Sequence, residues 1–181
     1  MNKATIDLYK GTLNKCEKLF KLKLEDYGMA WRVLRLTSIT DQILIKIERI
    51  RTIFINGTQA VNDNIEDDLI GIINYSIMAV MQTSLIENET YSILEQNVIF
   101  DLYEEIAKKI TSLFLKKNQD YGESWRIMRF NSILDIMLMK IMRLKNIEDK
   151  GGKTLISEGI EANYQDIANY AIIACIKLNE K

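Results

Sequence analysis

The stretch from Lys23 to Arg49 returns without a gap from Lys117 to Arg143, so whatever this chain folds into must accommodate two copies of one unit. The first copy reads KLEDYGMAWRVLRLTSITDQILIKIER and the second KNQDYGESWRIMRFNSILDIMLMKIMR. At a constant offset of 94 residues they share K-x-x-D-Y-G-x-x-W-R-x-x-R-x-x-S-x-x-D-x-x-x-x-K-x-x-R. Between these marks many apolar positions have drifted, Val33 against Ile127 and Leu36 against Phe130, although Ile39, Leu44 and Ile47 recur. A duplicated core must keep its volume and its apolar pattern, but it has no need of the same charges at the same places. Here the charges have stayed while much of the core has been repacked, which makes the charged positions the first place to look for function.

The rest of the composition narrows the fold to helices. There is no proline among the 181 residues and there are only 8 glycines. Long helices suit that balance, since proline breaks a helix interior and glycine weakens it. Apolar positions Ile6, Leu8, Leu13, Cys16, Leu19, Phe20 and Leu24 give a first helix over about Lys3 to Glu25, closed by Gly28. A second helix is expected from about Ala30 to Ile55, ending at the Asn56-Gly57 breaker. Asp63-x-x-Glu66 has the form of a capping box and opens a third helix to about Leu85.

After a polar linker around Glu87 to Thr90 the plan repeats, with helices over about Ser92 to Lys117, Ser124 to Glu148 and Glu158 to Leu178. The third helices align at an offset of 95 through Glu66/Glu161 and Asn74-Tyr75/Asn169-Tyr170. The expected fold class is therefore all-α: a six-helix bundle of two tandem three-helix repeats, residues 1–86 and 91–181, packed as one globular unit about a pseudo-twofold axis.

Several function classes drop out. Histidine is absent, which removes Ser-His and Cys-His nucleophile pairs and the usual zinc ligand. Cys16 and Cys175 lack metal or redox spacing and read as buried small apolar residues. A net charge of −1 argues against a broad basic surface for nucleic acid or membrane, so phosphate recognition has to be local. No signal peptide or membrane-length apolar run is present, and a cytoplasmic location is expected. Gly151-Gly152-Lys153-Thr154 looks like the end of a P-loop, but the earlier glycine and the preceding strand are missing.

On one continuous second helix, Arg32, Arg35, Ser38, Asp41, Lys46 and Arg49 share one half of the wheel, as do Arg126, Arg129, Ser132, Asp135, Lys140 and Arg143. Buried cations need an anionic partner. Either Asp26, Asp41, Asp63, Glu66 and their equivalents neutralise them internally, or a phosphate-bearing ligand does. Glu158, Glu161, Asp166 and Asn169 lie within one arc of the last helix, and carboxylates grouped this way suit magnesium, with Asp135 either a further ligand or a partner for Lys140; the other reading is acids that complement a helix dipole. The first copy carries Asp63, Glu66 and Asn74, with Gly71 where Asp166 would stand. Lys23, Asp26, Tyr27 and Lys117, Asp120, Tyr121 precede the glycine of each copy, and Trp31 and Trp125 follow it. These aromatics form either a packed corner or a stacking surface for a base.

The K-x-x-D-Y-G-x-x-W-R string seen twice, the later K-x-x-R and the acidic helix containing D-I-A-N-Y (Asp166 to Tyr170) resemble the nucleotide modification associated domain 1 family. Two tandem copies look like its bacterial form, and the likeness covers nearly the whole chain. The resemblance implies a nucleotide or other phosphorylated small molecule as ligand more firmly than it implies any reaction. The family is also distantly similar to the all-α nucleoside triphosphate pyrophosphohydrolases of the MazG kind, which bind magnesium through an E-x-x-E and a later E-x-x-D pair. Here Glu158-x-x-Glu161 is present, but the later pair reads Asn163-x-x-Asp166 and stands too close to the first.

Three readings follow. In the first, magnesium on Glu158, Glu161 and Asp166 activates water against a phosphoanhydride, with Glu161 and Asp166 catalytic. Arg126, Arg129, Lys140, Arg143 and their first-copy equivalents then offset phosphate charge. In the second, the chain senses or carries a nucleotide without catalysis. In the third it is a structural bundle whose ion pairs fix register. No nucleic acid or membrane partner is expected, and a homo-oligomer is compatible with the duplication.

Overall fold

A computed structural model describes residues 2–85, 95–153 and 158–180. The expected linker around Glu87 to Thr90, and Thr154 of the P-loop-like tetrapeptide, lie outside the described residues. The elements are α1 (Lys3–Tyr27), α2 (Leu36–Asn56), α3 (Ile65–Leu85), α4 (Gln96–Tyr121), α5 (Phe130–Asp149) and α6 (Ile160–Asn179), with short 3-10 turns at Ala30–Val33 and Ser124–Ile127. Among the described residues there is no strand, and no helix is long and apolar enough to cross a membrane.

The helices stack in three layers of two. The central pair is α3 and α6, which pack on each other along their length; α2 and α5 cover one side, and α1 and α4 the other. A helix packed on every side must be apolar nearly all round. α3 buries Leu69, Ile70, Ile72, Ile73, Ile77, Ala79, Val80 and Met81, and α6 buries Ile167, Ala168, Ala171, Ile172, Ile173, Ala174 and Cys175. Cys16 and Cys175 are free and fully buried, as their isolation in the sequence leads one to expect, and burial pushes the Cys16 thiol up to about 12.

Pseudo-twofold symmetry is explicit in the cross-repeat contacts. Tyr9 stacks on Phe114 at 4.2 Å between ring centroids, and its equivalent Tyr103 stacks on Phe20 at 4.5 Å. The Tyr9 hydroxyl donates to Asn169 Oδ1 (2.6 Å) and the Tyr103 hydroxyl to Asn74 Oδ1 (2.7 Å). Each asparagine also donates to a carbonyl of the first helix in its own repeat, Asn74 to Cys16 and Asn169 to Ile110. Each half thus satisfies the buried polar groups of the other.

Glycine ends the first helix of each repeat as expected. Gly28 and Gly122 have φ of +56° and +63°, a region that side-chain-bearing residues rarely adopt, and the Gly28 N–H closes on the Leu24 carbonyl. At the start of α3 the Asn64 side chain, rather than Asp63, accepts the Glu66 N–H, so the expected Asp63 capping box is replaced by a cap one residue later.

The second helix of each repeat differs from expectation in a consequential way. Instead of one helix from Ala30, a 3-10 turn carries the Trp-Arg pair, the backbone extends through Leu34 and Arg35, and α2 begins at Leu36. The second copy does the same through Met128 and Arg129. The carbonyls freed by this break find tertiary donors. Gln82 of α3 donates to the Arg32 and Leu34 carbonyls, and Lys177, its equivalent on α6, donates to the Arg126 carbonyl at 2.7 Å. Arg32, Arg35, Arg126 and Arg129 therefore do not share a helix face with Lys46, Arg49, Lys140 and Arg143.

Candidate functional site

Each repeat encloses a cavity against its own K-x-x-D-Y-G-x-x-W motif. The first helix brings the lysine and tyrosine, its glycine turns the chain, the 3-10 turn presents the tryptophan, and the third helix forms the far wall. The first cavity, about 680 Å³, is lined by Lys23, Tyr27, Gly28 and Trp31, by Gly71, Asn74 and Tyr75 of α3, and by Lys46 of α2. The second, about 320 Å³, is lined by the equivalents Lys117, Tyr121, Gly122, Trp125, Asp166, Asn169 and Tyr170.

The two cavities differ in how their polar groups are satisfied. In the second repeat the Asp166 carboxylate accepts from Lys117 and from Lys140, each at 2.6 Å, and it is 5 % exposed. Burial works to raise its pKa, but the hydrogen bonds and charges of the two lysines outweigh that and hold it below the usual carboxylate range. The Trp125 indole N–H donates to Asn118 Oδ1 at 3.0 Å.

In the first repeat Gly71 replaces Asp166 and Leu24 replaces Asn118. Lys46 lies over Gly71, close enough that a Cβ there would fall 2.8 Å from its Cε, and reaches one helical turn back to Asp68 at 3.0 Å, where Arg49 also pairs. Among the described residues Lys23 has no ion pair, and the Trp31 indole N–H is buried with no acceptor. Asp67 and Asp63 are exposed residues that also line this cavity.

Other sequence-derived candidates sit elsewhere. Arg126 is held between Glu123 and Glu180 and donates to Thr5 of α1, so it ties the repeats together away from the cavity lining. Arg32 is buried on its 3-10 turn, while Arg35 and Arg129 are exposed at the starts of α2 and α5. Arg143, Asp26 and Asp120 are exposed. Asp135 faces Arg51 of the other repeat at 3.5 Å, and its equivalent Asp41 pairs with Lys145 at 2.5 Å. Glu158 and Glu161 are exposed, with Glu161 accepting from Gln165. Among the described residues no three acidic or thiol side chains gather in a group that could hold a metal ion. Glu158, Glu161, Asp166 and Asp135 thus do not assemble into the donor set that magnesium would need.

Some lining residues were not singled out from sequence. Tyr75 and Tyr170 wall the two cavities, and the signal available for them was the Asn-Tyr pair recurring at an offset of 95. Asp68 and Asn118 have no counterpart of the same type in the other repeat, so internal comparison could not mark them.

Fold and cavities define a duplicated all-helical protein with a small-molecule-sized hollow at the shared motif of each repeat. The chain belongs to the nucleotide modification associated domain 1 family, whose model matches residues 23–83 and 117–178. Both matches begin at the motif lysine. No curated protein and no solved structure matches the chain.

Proposed function

We propose that the chain is a nucleotide-binding protein acting in nucleotide metabolism or modification, and that the ligand sits in the cavity lined by the repeated motif. The single observation that carries this reading is that Lys23, Tyr27, Gly28, Trp31, Asn74 and Tyr75 line a cavity in the first repeat and their identical equivalents line one in the second. At about 680 Å³ the first cavity falls within the range of small-ligand sites. Tyr27, Trp31 and Tyr75 offer aromatic faces of the kind on which bases stack. Lys23 and Lys46 offer ammonium groups for phosphate. The family description points the same way.

Binding without hydrolysis is the form the geometry favours. Asp166, the strongest acid candidate, has both carboxylate oxygens engaged by lysines, and among the described residues no second carboxylate joins it to hold magnesium or activate water. The chain has two tryptophans, one per cavity, so intrinsic fluorescence reports each separately. In a Trp125→Phe variant, titration with nucleoside mono- and triphosphates is expected to quench Trp31. Absence of quenching and of any calorimetric heat across all common bases would remove the proposal.

A further inference from the structure

We infer that the second repeat is a self-occupied copy of the site, in which Asp166 and Asn118 hold the places of a ligand's oxygen acceptors, and that only the first repeat binds, seating an anionic group beside Lys23 near Gly71. This deepens the nucleotide reading above and rests on it.

The second repeat shows what the shared scaffold holds when its donors are satisfied. Its two motif donors each find an acceptor within the repeat: Lys117 finds Asp166 and the Trp125 indole N–H finds Asn118. In the first repeat the same two donors, Lys23 and Trp31, are kept, and both acceptors are gone, to Gly71 and Leu24. The deletions are matched to the donors. Chance loss of one acceptor would leave the other in place. Among the described residues the outcome is an ammonium without an ion pair and a buried N–H without an acceptor, both on residues that line the larger of the two cavities.

A buried unpaired N–H costs about 1–3 kcal/mol, so a ligand oxygen that displaces neighbouring side chains to reach the Trp31 N–H, buried behind a ring that lines the cavity, gains that amount. Lys46 has not been left in the same state, because Asp68 replaces Asp166 one turn back on α3. Arg49 shares Asp68, so Lys46 can turn toward an incoming anion without stranding that carboxylate. Asp63 and Asp67 are solvent-exposed at this cavity, where water screens their repulsion of an anion held by Lys23. The chemical class this selects is a compact oxyanion attached to a planar group: a nucleoside 5′-phosphate, with the phosphate on Lys23 and the base against the aromatic wall.

Calorimetry on the full chain with the four deoxynucleosides and their 5′-monophosphates tests it. The expected result is one molecule bound per chain, with a monophosphate favoured over its nucleoside by about tenfold to a hundredfold, the range of one charge-assisted hydrogen bond. Lys23→Gln, an exposed position with little bearing on folding, should erase that preference. The pair Leu24→Asn with Gly71→Asp restores the second repeat's acceptors and should abolish binding, with a thermal melt to verify folding. Two molecules per chain, or binding untouched by Lys23→Gln, would overturn the inference. Equal affinity for nucleoside and monophosphate would overturn it too, while sparing the nucleotide reading. If none of the eight compounds binds, this inference falls, and the nucleotide reading falls with it only when the mono- and triphosphate titration described above is silent as well.

Discussion

The Tyr9 hydroxyl donates to Asn169 Oδ1 at 2.6 Å, joining the first helix of one repeat to the last helix of the other across 160 residues of sequence. Asn169 shares the α6 arc with the acids Glu158, Glu161 and Asp166. Its amide instead serves as a two-way connector, accepting from Tyr9 and donating to the Ile110 carbonyl. The same arrangement at Asn74 makes the pair a symmetric latch between the repeats.

Tyr9→Phe is accordingly expected to cost about 1–3 kcal/mol, because the Asn169 oxygen stays buried and loses its donor. Tyr103→Phe should cost a similar amount through Asn74. Urea unfolding followed by circular dichroism measures both. Each variant is expected to keep one cooperative transition, since the core is shared by both repeats rather than divided between them.

Asp166→Asn is expected to destabilise the protein by about 3 kcal/mol at neutral pH, because Lys140, only 7 % exposed, loses its counter-charge. The pH dependence has a definite sign. Asp166 has a folded-state pKa held below the ordinary value of about 4. Its contribution is therefore fully present above that ordinary value and is lost as pH falls through the lowered one. The stability gap between wild type and variant should narrow in acid. A gap that stays constant down to the acid transition would count against the lysine pair as its source.

Much of the architecture was legible because each cue was local. Periodicity gave the helices, and Gly28, Gly57 and Gly122 gave three of their ends within a residue or two. The break before α2 and α5 was not legible. Nothing at Leu34-Arg35 or Met128-Arg129 disfavours a helix, and the donors that stabilise the break, Gln82 and Lys177, lie about fifty residues away. Missing the break put the motif arginines on the same face as the lysines, from which the structure separates them. The site was legible as a list of repeated residues, Lys23, Tyr27 and Trp31 with their equivalents. What separates the two copies was visible only in part. The exchange of Asp166 for Gly71 could be read off the alignment, but its meaning depends on which lysines reach across from other helices.

One buried polar cluster breaks the symmetry on the far side of the bundle. Thr40 donates to Glu148 at 2.6 Å, Tyr164 donates to the same oxygen at 3.1 Å, and Thr40 and Tyr164 lie 2.6 Å apart. The equivalent positions are Leu134, Phe54 and Leu69, an apolar set. Burial raises the Glu148 pKa above its ordinary value, and the hydrogen bonds from Thr40 and Tyr164 only partly offset this. A raised folded-state pKa means a contribution that is fully present below the unfolded value of about 4.3 and is lost as pH rises through the raised one. Glu148→Gln keeps an acceptor for both hydroxyls and removes the titration. Its stability should match wild type near pH 4 and exceed it at pH 7, as read from thermal melts at a series of pH values.

Asp135 distinguishes a metal ligand from a tie between repeats. Its carboxylate is mostly exposed and meets Arg51 at 3.5 Å, just as Asp41 meets Lys145 on the symmetry-related side. Exposed pairs of this kind contribute about 0–1 kcal/mol, because water screens the attraction and ordering two long side chains offsets the rest. Asp135→Asn should therefore shift stability by less than about 1 kcal/mol, and that small shift should vanish in high salt. If Asp135 instead completed a magnesium site with Asp166, the same substitution would abolish any stabilisation of the protein by added magnesium. The geometry calls for no difference between wild type and variant in a magnesium titration followed by thermal melting, because α5 turns Asp135 toward α2 whereas Lys140 of the same helix faces Asp166.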